Sequence, residues 1–145
     1  MPDRSRNLLH IDDDEPFTRL VAHRLGQHGY RLDALHDPMV ALAELAKDEH
    51  RVVLLDINMP GVDGLELLRQ IKRRDGSIQV IMLTAQVGVD VILQSLRWGA
   101  EGCFFKPLGD IAPLLDCLDL TFRKLDRWEK AIAELDGIRA TSETR

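Results

Sequence analysis

Short, unbroken apolar runs alternate with segments of helical period along most of the chain. Leu8 to Ile11 is the first run and reads as a buried strand. Pro16 to Leu25 comes next with a spacing that puts Phe17, Leu20, Val21 and Leu25 on one helix face, with Gly26 as the stop. Arg31 to Leu35 is a short second strand in which Leu32 alternates with Asp33. Asp37-Pro38 opens the second helix as N-cap and first residue, and Met39, Leu42, Leu45 and Ala46 supply its inward face. Arg51 to Asp56 is the third strand, and Leu65, Leu68 and Ile71 mark a third helix ending in Lys72-Arg73-Arg74-Asp75-Gly76. Val80 to Leu83 is the fourth strand, Val89 to Trp98 a fourth helix stopped by Gly99, and Gly102 to Phe105 the fifth strand.

The last segment is longer than the others. Ile111, Leu114, Leu115, Leu118, Phe122, Leu125, Trp128, Ile132 and Leu135 form one helical stripe that runs to Gly137. A helix over 111–136 is about 39 Å long, more than strands of about 4–6 residues can cover. Trp128, Ile132 and Leu135 are therefore expected to project beyond the body. Their spacing favours a homodimer or a signalling helix over an end that folds back. Residues 138 to 145 read as a disordered tail.

Five strand–helix units with apolar strands imply a parallel sheet covered on both faces, a doubly wound α/β sandwich. Right-handed crossovers bring all five strand C-termini to one edge, where such sheets bind ligands. No internal repeat and no low-complexity linker interrupts the series.

Composition narrows the class. The chain has 145 residues, 45% hydrophobic and 30% charged, as expected of one globular domain. Its net charge of −5 counts against a nucleic-acid surface. No apolar run approaches the ~18 residues of a membrane span, and Met1 to Asn7 lacks the apolar centre of a signal peptide. Cys103 and Cys117 form neither a CxxC pair nor a zinc spacing, so free thiols in a reducing cytoplasm are the economical reading.

Chemistry gathers at the strand ends. An ionised carboxylate is costly to bury unpaired, so Asp56, closing Val52-Val53-Leu54-Leu55, is expected at a solvated site on the sheet edge. Asp12-Asp13-Asp14 come after the first strand, Thr84 opens the loop after the fourth and Lys106 comes after the fifth. Clustered carboxylates suit Mg²⁺, Asp56 can attack phosphorus as a nucleophile, and the Lys106 ammonium is a compact charge for a phosphoryl oxygen. The Thr84 hydroxyl has a proton to donate to the same group. Taken singly, each is an ordinary cap or loop residue, and for Asp14 and Glu15 a helix cap is the preferred reading. Taken together, they meet at one edge. His10 reads as a satisfied core histidine, His23 and His28 do not share a helix face, and none of the five histidines reads as a metal ligand.

These residues carry a resemblance. Leu8-Leu9-His10-Ile11-Asp12-Asp13, Leu54-Leu55-Asp56-Ile57-Asn58-Met59-Pro60-Gly61-Val62-Asp63-Gly64, Met82-Leu83-Thr84-Ala85 and Gly99 to Pro107 resemble the receiver domains of two-component response regulators. The likeness covers residues 6 to 125, leaving 126 to 145 as helix extension and tail. It implies a flavodoxin-like (βα)5 fold. It further implies that Asp56 is the phosphoacceptor, charged from a histidine kinase or histidine phosphotransfer protein, and that Thr84 and Lys106 contact the phosphoryl group. Asp13 and Asp56 would hold Mg²⁺ directly, Asn58 through its carbonyl and Asp12 through water, with Asp13 and Asp14 as the alternative pair. A cis peptide before Pro107 belongs to the same pattern. The chain would be a switching module, not an enzyme, acting on a downstream protein or output domain. It would either stand alone or be cut from a longer regulator whose long last helix dimerises.

One departure stands out: Cys103 occupies the position where such domains carry a Tyr or Phe that swings inward. Rivals are weaker. An aspartyl phosphatase wants a second carboxylate two residues after the nucleophile, where Asn58 stands. A pseudo-receiver would not keep the whole set, and a dinucleotide site lacks GxGxxG.

Overall fold

Period-two alternation along the central strands splits the core into two layers. Leu9, Ile11, Val53, Leu55, Val80 and Met82 point to one face of the sheet, and Leu8, Val52, Leu54, Ile81 and Leu83 point to the other. The structure, a computed structural model, describes residues 6–86 and 88–143. Its sheet has strands β1 (Asn7–Ile11), β2 (Arg31–Leu35), β3 (Val52–Leu55), β4 (Gln79–Thr84) and β5 (Gly102–Phe105). All neighbours are parallel, in the order β2-β1-β3-β4-β5. The sequence of strands switches direction at β1 and β3, and in such sheets the crevice beyond that switch is the ligand site.

The helices are α1 (Glu15–Gly26), α2 (Ala41–Leu45), α3 (Gly64–Arg74), α4 (Val89–Arg97) and α5 (Ala112–Glu143). Residues of α2, α3 and α4 complete the first layer. Val21 and Leu25 of α1 complete the second with Leu114, Leu118, Phe122 and Leu125 of α5. The outer strands are only partly buried, as edges of an open sheet must be.

Several local expectations need correction. Leu20 is exposed, and the inner face of α1 is Thr18, Val21 and Leu25. Thr18 is tolerated there because its hydroxyl bonds the Glu15 carbonyl (2.9 Å) and His36 Nε2 (2.9 Å). Gly26 closes α1 from within, and the reversal falls at Gly29, where φ is +86°. Asp37 does cap, accepting from the Met39 amide, but Pro38–Val40 form a 3₁₀ turn. That tighter turn shifts the phase of the α2 residues after it, so Met39 is 72% exposed while Ala41 and Leu45 face the core.

The largest difference is at the end. α5 does not stop at Gly137; it runs through it to Glu143, so 138–143 are helical and only 144–145 of the expected tail lie outside the described residues. A glycine inside a helix costs only about 1 kcal/mol relative to alanine, too little to end one flanked by good formers. Among the described residues, no helix is long and apolar enough to cross a membrane.

Candidate functional site

Ile11 of β1 and Leu55 of β3 sit opposite each other in the ladder, so the next residues, Asp12 and Asp56, leave the sheet side by side. The ladder continues one step past both strands: Asp12 donates its amide to the Leu35 carbonyl (3.1 Å) and Asp56 to that of Ile11 (3.1 Å). On the far side of β4, the Lys106 amide donates to the Thr84 carbonyl at 2.9 Å. These backbone bonds fix where three charged side chains start. The side chains then converge: Lys106 Nζ lies 2.6 Å from Asp12 Oδ2 and 3.5 Å from Asp56 Oδ2. The second oxygens are held by local amides, Asp12 Oδ1 by Asp14 N at 2.9 Å and Asp56 Oδ1 by Ile57 N at 2.8 Å.

The solvated position expected for Asp56 is not what the fold provides. Asp56 is 4% exposed and Asp12 is fully buried. Burial is tolerable because the ammonium lies across both carboxylates, and a charge that is paired can leave water. The ammonium in turn sits 4.3 Å from the centre of the Phe17 ring, on the first turns of α1.

The three consecutive aspartates have separate environments. Asp14 is the N-cap of α1, accepting from the Phe17 amide at 3.1 Å. Asp13 is exposed, and one carboxylate oxygen from each of Asp12, Asp13 and Asp56 falls within 4.8 Å of the others. Burial pushes the Asp12 carboxyl up from its ordinary range, Lys106 and the Asp14 amide oppose this, and the Asp56 charge adds to it. Three crowded hard oxygen donors, two of them buried, form a set suited to a small divalent cation. A second group with close ligand atoms, Glu44, Glu49 and His50, is already engaged, Glu44 with Lys47 (2.9 Å) and His50 with Asp33 (2.8 Å).

Asn58 lies in a two-residue antiparallel ladder, Asn58–Met59 with Val62–Asp63, directly after β3, with its side chain exposed. Thr84 is buried at the end of β4, and its Oγ1 accepts from the Gln86 amide at 3.2 Å. That leaves the hydroxyl proton for another acceptor. The peptide between Lys106 and Pro107 is cis. Cys103 is a free, half-buried thiol packed against the layer that holds α2, α3 and α4, and burial raises its pKa.

Three residues not among those expected at the site border it. Phe17 belongs by spacing to the core face of α1, yet its ring lies beneath Lys106. Gly64 opens α3 against the backbone that continues from Asp56, where a Cβ would come within 2.6 Å of Ile57 Cα. His10 is buried as expected but, among the described residues, neither ring nitrogen has a hydrogen-bond partner, and Nε2 lies 3.8 Å from Asp12 Oδ2. Its pKa is lowered to about 3 by burial first, then by the charges of Lys106 and His36. Strand alternation carried the signal, since His10 and Asp12, two apart, leave β1 on the same side.

Known proteins share this fold. Residues 8–118 match the response regulator receiver domain model. The chain belongs to the response regulator receiver family. It is 36% identical over 114 residues to the C4-dicarboxylate transport transcriptional regulatory protein DctD of Pseudomonas aeruginosa, covering 79% of this chain and 24% of that protein. It is 32% identical over 120 residues to the transcriptional regulatory protein TctD of Salmonella typhimurium, covering 83% of this chain and 51% of that one. The chain thus spans about half, or less, of the curated relatives it matches. Among solved structures, the BeF3-activated N-terminal receiver domain of Klebsiella pneumoniae RstA is 29% identical with a TM-score of 0.73, covering 81% of this chain and 98% of that one. A CheY-like receiver domain protein from Methanospirillum hungatei JF-1 is 26% identical with a TM-score of 0.70, covering 87% and 98%.

Proposed function

We propose that this receiver is a phosphorylatable switch in which Asp56 accepts a phosphoryl group from a phosphohistidine of a kinase or phosphotransfer protein. The observation that carries it is the meeting of Asp12, Asp13, Asp56 and Lys106 at one sheet edge. The relation to RstA, whose receiver is known in a BeF3-activated form, supports it.

In the transfer, a carboxylate oxygen of Asp56 attacks phosphorus, the P–N bond to the donor imidazole breaks, and that nitrogen keeps the electron pair. The product is an acyl phosphate on Asp56 and a neutral histidine once the ring has taken a proton. Lys106 would move from Asp12 toward the new phosphoryl oxygens, which compete for its ammonium with more charge than one carboxylate. Thr84 donates its hydroxyl proton to one of those oxygens. Asp13 and Asp56, the Asn58 carbonyl, and Asp12 through water would hold Mg²⁺, which when bound neutralises charge on the transferring group.

The switch would act on proteins in the cytoplasm, a downstream target or an output domain, by changing the surface around the Thr84 loop, α4, β5 and α5. Residues 6–125 form the receiver and the rest of α5 extends from it. The test is intact mass after incubation with Mg²⁺ and acetyl phosphate. The native chain gains one phosphoryl group and Asp56→Asn gains none; an equal gain in both removes Asp56 from the role.

A further inference from the structure

After α2 the chain turns at Asp48, where φ is +59°, and doubles back so that Glu49 and His50 return past Glu44. A short polar residue such as Asp accepts that left-handed conformation more readily than most. One ligand atom from each of Glu44, Glu49 and His50 lies within 4.8 Å of the other two. Glu44 is half-buried and Glu49 exposed, whereas His50 is only 3% exposed.

His50 is the informative member. Its Nε2 lies 2.8 Å from Asp33 Oδ2, and a carboxylate can only accept, so Nε2 carries the proton. In the neutral ring Nδ1 then holds the lone pair. Among the described residues that nitrogen is buried and has no hydrogen-bond partner, a costly state for an acceptor. An imidazole whose second nitrogen donates to a carboxylate has its tautomer and ring orientation set for a metal ion. The bonds of His50 to Asp33 and of Glu44 to Lys47 use Nε2 and one Glu44 oxygen, which leaves Nδ1 and the other oxygen to act.

We propose that His50 Nδ1 and the carboxylates of Glu44 and Glu49 bind a transition-metal dication, Zn²⁺ being the ion the set fits, with Asp33 as the positioning residue behind the imidazole. Zn²⁺ takes one nitrogen and two oxygens at about 2.0–2.2 Å and completes its four ligands with water. The all-oxygen set at Asp56 suits a harder ion. The two sites lie at opposite ends of β3, six residues apart, or about 20 Å at the rise of a strand. This site is therefore independent of the reading of Asp56. Lys47 balances the same charge that the dication would: its ammonium is 2.9 Å from Glu44, and its pKa is raised by Glu44 first, with Glu49 adding. Its side chain is mostly exposed, so it swings into solvent as the ion enters. No histidine spacing marks the set in the sequence, because a single nitrogen is joined by two carboxylates.

The experiment titrates Zn²⁺ into the full chain in excess Mg²⁺ and follows the ring nitrogens of each histidine by ¹⁵N NMR, with calorimetry for affinity. His50 Nδ1 is expected to move to the metal-bound position at one equivalent while Nε2 stays protonated. Asp33→Asn weakens binding by about 10–100-fold, as loss of an outer partner does, and Glu49→Gln, at an exposed position that leaves the fold intact, weakens it further. Lys47→Gln, which removes the competing ammonium, tightens it. An unshifted His50, with Zn²⁺ taken up at the other histidines or not at all, overturns the proposal. So does a Zn²⁺ affinity indifferent to both Glu49→Gln and Lys47→Gln.

Discussion

His10 and Asp12 share one side of β1, and the fold asks opposite things of them. Asp12 is held as a buried charge by Lys106, while His10 is kept neutral by burial and by the Lys106 and His36 charges nearby. These demands set the sign of a pH effect. With a folded pKa of about 3 against an ordinary 6.5, the unfolded chain takes up a proton below pH 6.5 that the fold refuses. Stability contributed by a neutral His10 is complete above pH 6.5 and is lost as pH falls toward 3, by about 1.4 kcal/mol per unit at most. Chemical denaturation in chelator from pH 7 to 4 should therefore show a shallower decline for His10→Leu than for the native chain, beyond the common loss from carboxylates. The pairing around Lys106 gives a second expectation. Lys106→Met leaves Asp12 and Asp56 facing each other without their cation, so one of them should hold a proton at neutral pH, visible as a carboxylic acid band in the infrared spectrum.

Elements differ in how far the chain announces them. The strands are legible nearly to the residue, because a buried parallel strand has only one signature, an apolar run between turn formers. Helix faces are less legible. Leu20 and Met39 are apolar and exposed, Thr18 is polar and inside, and no period separates these cases without knowing that His36 waits to bond Thr18 or that Pro38 tightens a turn. Asp56, Lys106 and Thr84 declare themselves by their places at strand ends, whereas Phe17 and Gly64 act through packing that only the folded chain shows. Gly64 is the sharper case. Because a Cβ there would strike the backbone of Asp56 and Ile57, Gly64→Ala should displace the start of α3 and lower stability by about 2–4 kcal/mol in urea unfolding. Gly137 gives the contrast: a Cβ there meets nothing within 4 Å, so Gly137→Ala should add about 1 kcal/mol of helix stability. Slower amide exchange across 126–143 is the measurement.

For the molecule as a whole, one edge of the sheet concentrates negative charge that folding must tolerate, and a divalent ion would relieve it. Mg²⁺ at about 100 times its Kd should raise stability by about 2.7 kcal/mol, read as a thermal shift, and Asp13→Asn should lose most of that gain. Asp13 is the informative position because it is exposed, so its replacement leaves the core unchanged. The layers around that edge are not equally firm. Arg24 ties α1 to the loop after Pro107, bonding the carbonyls of Leu108 (3.2 Å) and Gly109 (2.9 Å). By contrast, among the described residues of α4 only Val91 and Ser95 are buried, while Val89, Ile92, Leu93 and Leu96 are exposed. A cylinder pinned at two points rolls or slides for little energy, and its wet leucines can be covered or uncovered by a small turn. A pull on the loop after Thr84 is therefore expected to shift α4, and a binding partner that grips its exposed leucines would, by linkage, bias the loop in return.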